Sequence, residues 1–152
     1  MDRSLAVALD YPDGPADLCA RYVADFDVSG PTSLHLTYHR FGDSRQRGRA
    51  LIALKRLLRA AGWELEHWEL PDYLPLLIEL AAVDPEVGLP LLAEHRVEIH
   101  AIRRALVERE SLWADMLDRV CAELPPVDEE ALERLIDEGP PTELVGLEAV
   151  RT

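Results

Sequence analysis

Cysteine is scarce in this chain: Cys19 and Cys121 are the only two. Two distant thiols make neither a disulfide framework nor a metal-ligand spacing. Cys121 falls on an apolar helical position and reads as a small core residue. Long apolar runs are missing too. No stretch approaches the roughly 18 residues of a membrane span, and none is expected. The start, Met1-Asp2-Arg3-Ser4, lacks the basic head and small-residue cleavage site of a signal peptide, so the expected address is the cytoplasm. Aromatic residues are only 6% of the chain.

The motifs of common chemistries are absent as well. No Lys-Ser/Thr pair follows Gly48, so Gly42 and Gly48 do not frame a phosphate loop. No Gly-x-Ser-x-Gly elbow occurs. His35 and His39 are spaced to share a helix face, but Leu36 stands where a zinc protease needs Glu. His95 and His100 are poorly spaced for one face, and His95 reads as a satisfied core histidine. Neither a metal nor a cofactor is expected, and nothing assembles an active site. Positive charge is also in deficit. Sixteen Lys and Arg against 29 Asp and Glu give a formal charge of −13, which disfavours nucleic acid and anionic membranes as partners.

What is present is helix-forming composition around one hydrophobic inventory, 48% of 152 residues. That suits a single all-α domain large enough for a core. Short helices are expected over residues 3–11 and 17–26, broken by Asp13-Gly14-Pro15 and Ser29-Gly30-Pro31. Residues 32–41 alternate like a strand through Leu34, Leu36 and Tyr38. A lone strand has no partner, so an irregular or short helical connection is expected. Asp43 and Gln46 form a capping-box pattern opening a helix with Leu51, Leu54, Leu58 and Ala61 inside and Gly62 at its end. Arg45, Arg49, Arg56 and Arg59 line its other side.

Glu69-Leu70-Pro71-Asp72-Tyr73-Leu74-Pro75-Leu76-Leu77-Ile78-Glu79-Leu80 is the stretch the chain is expected to be organised around. Pro71 keeps Leu70 extended, Asp72 is placed to cap, and Pro75 fits a first turn. The helix that follows is apolar nearly all round and should be central. From Glu86 to Leu124 apolar residues recur at helical spacing, with breaks expected at Pro90 and at Glu110-Ser111. Pro125-Pro126 stops the run. A last acidic helix spans Asp128 to Asp137 with Leu132, Leu135 and Ile136 inside. Residues 1–138 are thus expected to form the domain and 139–152 a loose acidic tail, with a short helical turn around 144–150. Charge is uneven. Residues 40–59 carry seven bases against one acid, and residues 123–148 nine acids against one base. These are solvated faces that partly neutralise each other, or one is a docking surface.

Three pieces resemble the NarJ family, the delta-chain chaperones of respiratory nitrate reductase within the TorD-like maturation proteins. They are Tyr11-Pro12-Asp13, then Tyr22-Val23-Ala24-Asp25-Phe26-Asp27 followed by Thr32-Ser33-Leu34, His39 and Gly42-Asp43-Ser44-Arg45-Gln46-Arg47-Gly48, then Glu69 to Leu76. Arg109-Glu110-Ser111 is a weaker match. The resemblance implies a TorD-like helical bundle without catalytic activity. It implies binding to the N-terminal, leader-like peptide of the nitrate reductase alpha subunit. The apoenzyme is held while molybdenum cofactor and an iron–sulfur cluster are inserted, before membrane attachment.

A groove between helices, apolar inside and acidic at the rim, suits such a peptide. Its expected walls are Tyr22, Phe26, Leu34, Tyr38 and His39 on one side and Tyr73, Leu74, Leu77 and Ile78 on the other. Each is equally well explained by core packing. Glu69 and Asp72 are acidic contacts or caps. Arg45 and Arg47 dock on an acidic client patch or pair with this chain's own carboxylates. The competing readings are a chaperone for another molybdenum oxidoreductase, a DNA-binding regulator using residues 43–61, and a small metalloenzyme using His35 and His39.

Overall fold

The computed structural model describes residues 14–26 and 30–142. The expected helix over 3–11, the Tyr11-Pro12-Asp13 motif and the turn around 144–150 lie outside them.

Among the described residues the architecture is all-α. Helix α1 spans Pro15–Phe26, α2 Leu36–Phe41, α3 Arg45–Ala60, α4 Leu74–Val83, α5 Pro85–Glu94, α6 Arg96–Glu108, α7 Ala114–Ala122 and α8 Glu129–Glu138. The helix at the centre is α6. Ile99, Ile102 and Leu106 along it are fully buried, each contributing about 1.5–3 kcal/mol of transfer free energy. It packs against α2, α5, α7 and α8. Helix α4, which the apolar pattern marks as central, instead forms a hairpin with α5. It buries Leu74, Leu77 and Leu80 but leaves Val83 exposed. A Cβ on Gly88 of α5 would collide with the backbone at Leu80 and Ala81. The missing side chain is what lets the two helices approach.

Local signals are partly displaced from where pattern alone puts them. Helix α3 is capped by Ser44, whose Oγ accepts from the Arg47 N–H at 3.3 Å. Asp43 instead takes the Arg47 guanidinium, so the expected capping box with Gln46 is not formed. Gly62 ends α3 as expected: its φ is +89°, its N–H reaches Arg59 O and the Trp63 N–H reaches Leu58 O. That is the paired-bond ending that favours glycine. Of the expected α3 stripe, Leu54 and Leu58 are buried and Ala61 is exposed. Pro90 sits in the second turn of α5 without breaking it, and the helix ends at His95. The break comes after Glu94 because His95 carries the turn. Helix α6 closes where expected, with Glu110 at φ +52° and the Ser111 N–H on Leu106 O. Asp128 caps α8 through Glu130 and Ala131 N–H groups. Leu132 is buried there, whereas Ile136 is exposed. Residues 139–142 run beside the end of α2, where a Cβ on Gly42 would meet the Pro141 carbonyl.

The strand-like alternation at 34–38 has a partner after all. His35 and Tyr73 form an isolated antiparallel bridge. The Leu36 N–H donates to Asp72 O at 3.0 Å and the Leu74 N–H to Leu34 O at 2.9 Å. Two short segments far apart in sequence are thereby held together just before each turns into a helix.

Candidate functional site: a cleft between the first helix and the segment before the fourth

The site is built outward from Asp72, whose side chain is 0% exposed. It does not cap α4; that helix has Tyr73 at its cap position and no side-chain bond there. Asp72 caps α2 instead. Its Oδ2 accepts from the Thr37 N–H at 3.1 Å and the Thr37 hydroxyl at 2.5 Å. His35 Nδ1 stands 3.4 Å from Oδ1 and an Arg47 nitrogen 3.7 Å from Oδ2. Burial pushes this carboxyl up. Hydrogen bonds from His35 and Thr37 and the charges of His35 and Arg47 outweigh it and hold the group below its ordinary range. The cluster pins residues 72–73 against α2.

Tyr73 therefore has a fixed direction. Its ring lies 5.3 Å from that of His35, and its hydroxyl is 2.9 Å from the Tyr22 hydroxyl of α1. Burial and that contact push the Tyr22 phenol well above its ordinary range, so it stays protonated. Tyr22 meets Trp113 edge-on and Phe26 meets it tilted, with centroids 5.6 and 6.0 Å away. Ser111 donates to Asp25 at 2.6 Å. Helix α1 is thus tethered, and an open cleft of about 690 Å³ lies beside it.

Tyr22, Val23 and Phe26 form one wall of this cleft. Trp68, Glu69, Leu70, Tyr73, Pro75, Leu76 and Glu79 form the other, and Leu34 and His35 lie between. Trp68 is 68% exposed at the rim. Around Glu69, Leu76 and Glu79 the cleft runs on into a hollow of about 210 Å³ lined also by Trp63, Glu64, Leu65 and Val83. Glu64, Glu69 and Glu79 line these spaces, and no Lys or Arg does. The surface is apolar with a one-signed rim.

Of the residues expected to bind peptide, the structure brings Tyr22, Phe26, Leu34, Glu69 and Tyr73 into the cleft. Asp72, Leu74 and Leu77 are buried in the core, and Ile78 packs half-buried against it. His39 is buried, with Nε2 2.7 Å from Ser33 O; burial pushes its pKa down despite that carbonyl and the charges of Glu98 and Asp72. Tyr38 lies under the Arg47 guanidinium, 5.9 Å away. Arg47 is held by Asp43, Thr37 and Asp72, so it serves the interior, while Arg45 stays exposed on α3. Val23, His35, Trp68, Leu70, Pro75, Leu76 and Glu79 also line the cleft, beyond the expected set. Leu70, Pro75 and Leu76 belong to the motif that carries the resemblance. In sequence, the signal for this wall is the large aromatic Trp68 beside that motif.

A second buried carboxylate lies on α6. Glu98 is 1% exposed and meets Arg40 at 2.6 Å. Burial pushes it up, but His95 and Arg40 outweigh that and hold it low. His95 is buried beside it, 3.9 Å from Glu98 Oε1. Neither of its ring nitrogens has a hydrogen-bond partner among the described residues, so it is not the satisfied core histidine expected. His35 and His39 point to different partners, Asp72 and Ser33. No three His, Cys, Asp or Glu converge as a metal set among the described residues. No helix there is long and apolar enough to cross a membrane.

The cleft lies within residues 3–118, which match the nitrate reductase delta subunit family. The chain is 41% identical over 108 residues to the nitrate reductase-like protein NarX of Mycobacterium tuberculosis, covering 70% of this chain and 17% of that protein. It is 32% identical over 111 residues to the probable nitrate reductase molybdenum cofactor assembly chaperone NarJ of Bacillus subtilis, covering 72% and 60%. With the NarJ assembly chaperone of Escherichia coli it shares 37% over 105 residues, 68% and 44% of the two chains. The chain thus spans only part of the length of these relatives. By its sequence match and its helical architecture, this chain belongs to the nitrate reductase delta subunit family.

Proposed function

We propose that this protein is a non-catalytic assembly chaperone of the nitrate reductase catalytic subunit. It acts in the cytoplasm. It binds the N-terminal peptide of the alpha subunit and holds the apoenzyme during molybdenum cofactor and iron–sulfur insertion, before membrane attachment. The observation that carries this reading is the cleft between α1 and residues 68–79, apolar on its walls and rimmed by Glu69 and Glu79. A helical peptide lays its apolar face against Phe26, Leu70 and Leu76. Its basic residues meet the carboxylates, which set orientation and association rate more than affinity. The family's relatives named as assembly chaperones support the client class.

Titration with a fluorescently labelled alpha-subunit N-terminal peptide tests the proposal. Binding on the order of 1 μM or tighter is expected, about −8 kcal/mol. Leu70→Asp with Leu76→Asp should weaken it at least about tenfold, about 1.4 kcal/mol, with the circular dichroism unchanged. A folded wild type that ignores the peptide overturns the reading.

A further inference from the structure

Helix α3 carries an arrangement of charge that the peptide cleft does not use. Arg45, Arg49, Ile52, Arg56 and Arg59 are all exposed and follow one another at steps of three or four residues, so they form one straight stripe. It runs about 21 Å at 1.5 Å per residue. The stripe faces away from Leu54 and Leu58, which anchor α3 in the core. Ile52, at its middle, is 55% exposed.

The chain has nearly twice as many acids as bases, so an unpaired cation is unexpected. Elsewhere the cations are engaged. Arg40 holds Glu98, Arg103 holds Asp118, Arg104 holds Glu129 and Glu133, and Arg134 holds Glu130. Among the described residues Arg49, Lys55, Arg56 and Arg59 have no ion pair or hydrogen-bonded partner. The acids of α8 meet Arg104 on α6, not the arginines of α3. Helix α3 itself contains no acid. Same-sign neighbours at helical spacing and arginines in a first turn both oppose the free helix. The stripe therefore weakens the element that displays it.

We propose that this stripe is a docking surface for an acidic helix on a partner protein. That helix places an apolar residue on Ile52 and carboxylates at matching helical spacing on Arg49, Arg56 and Arg59. The exposed isoleucine between the arginines favours a side-chain surface over a phosphate backbone. The net charge of −13 repels a dense polyanion more than a segment with a few carboxylates. The surface is separate from the cleft and does not depend on what the cleft binds.

The probe is a stapled helical peptide of about 16 residues, long enough for the stripe, with Glu at the positions facing the arginines and Leu at the centre. Full-length protein should bind it, and the affinity should fall steeply with added salt. Arg49→Glu with Arg56→Glu should weaken binding about tenfold or more, as should Ile52→Asp, while alpha-subunit peptide binding is unchanged. A matched peptide with Lys in place of Glu should not bind. The proposal is overturned if wild type ignores the acidic peptide, or if the variants bind it equally. It is also overturned if duplex DNA or phosphatidylserine vesicles are preferred. Binding that appears only with Glu143→Gln and Glu148→Gln would assign the stripe to this chain's own carboxylates and overturn it as well.

Discussion

The carboxylate of Asp72 caps a helix that begins far earlier in the chain, accepting the Thr37 N–H at 3.1 Å across 35 residues of sequence. Removing it leaves that N–H and the Thr37 hydroxyl without their acceptor, and leaves Arg47 with Asp43 and the Thr37 Oγ1 only. Breaking a buried, charge-assisted cluster by deleting one member costs about 3–5 kcal/mol. Asp72→Ala is expected to lower unfolding stability by that order in urea, and Asp72→Asn by less because it keeps an acceptor. A loss below about 1 kcal/mol for the alanine variant would show that the cluster does not hold the two segments together.

Acid sensitivity should come in two stages. His39 is buried with its pKa lowered by burial. Below its ordinary value of 6.5 the unfolded chain takes up the proton first, so stability falls as pH drops from there. Asp72 and Glu98 have folded pKa values below their ordinary 3.8 and 4.5. Their contribution is fully present above those values and is lost as pH falls further, through the folded ones. Urea midpoints measured from pH 7.5 to 3 should show both slopes. His39→Gln should flatten the upper one alone, and an unchanged upper slope would remove His39 as its source.

Helix α6 ends with a strained residue. Glu110 has φ +52° in the ending that bonds the Ser111 N–H to Leu106 O. A side chain in that left-handed region costs roughly 1–2 kcal/mol that glycine does not incur. Its greater freedom in the unfolded chain offsets part of the gain. Glu110→Gly is expected to stabilise by about 0.5–1 kcal/mol and raise Tm by roughly 1–4 °C. A fall in Tm would mean that the Glu110 side chain makes a contribution exceeding its strain.

Residues acting on their immediate neighbours are the ones the sequence makes legible. The break at Glu110-Ser111, Gly62 and Asp128 lie where turn and cap chemistry places them. The helical class and the motif around Pro71 follow from the same short-range rules. Asp72 shows where such rules stop. Its type suits a cap, but the helix it caps is chosen by the pairing of residues 34–36 with 72–74, which no local window contains. The same long-range pairing sends Leu74 and Leu77 into the core and turns Leu70 and Leu76 to the cleft. In an all-round apolar helix the pattern has no face to assign, so the wall residues are visible only in three dimensions. Arg47 is a similar case. Its basic neighbours are at the surface, while it turns inward to Asp72.

Gly88 offers a test that links packing to the cleft. As a helical residue it should be improved by alanine, by about 1 kcal/mol of propensity. A Cβ there would overlap the backbone of Leu80 and Ala81, which cannot give way as a flexible side chain can. Overpacking of this kind typically costs 1–3 kcal/mol, occasionally more, so the net effect of Gly88→Ala should be destabilising, with Tm falling by a few degrees. Helix α4 carries Leu76 and Glu79 on the cleft wall, and pushing α4 off α5 moves both. The variant should therefore bind the alpha-subunit peptide more weakly even at temperatures where it is fully folded. A gain in Tm would show that the hairpin has slack at this contact. A loss of Tm with unchanged peptide affinity would place the binding surface elsewhere than on α4.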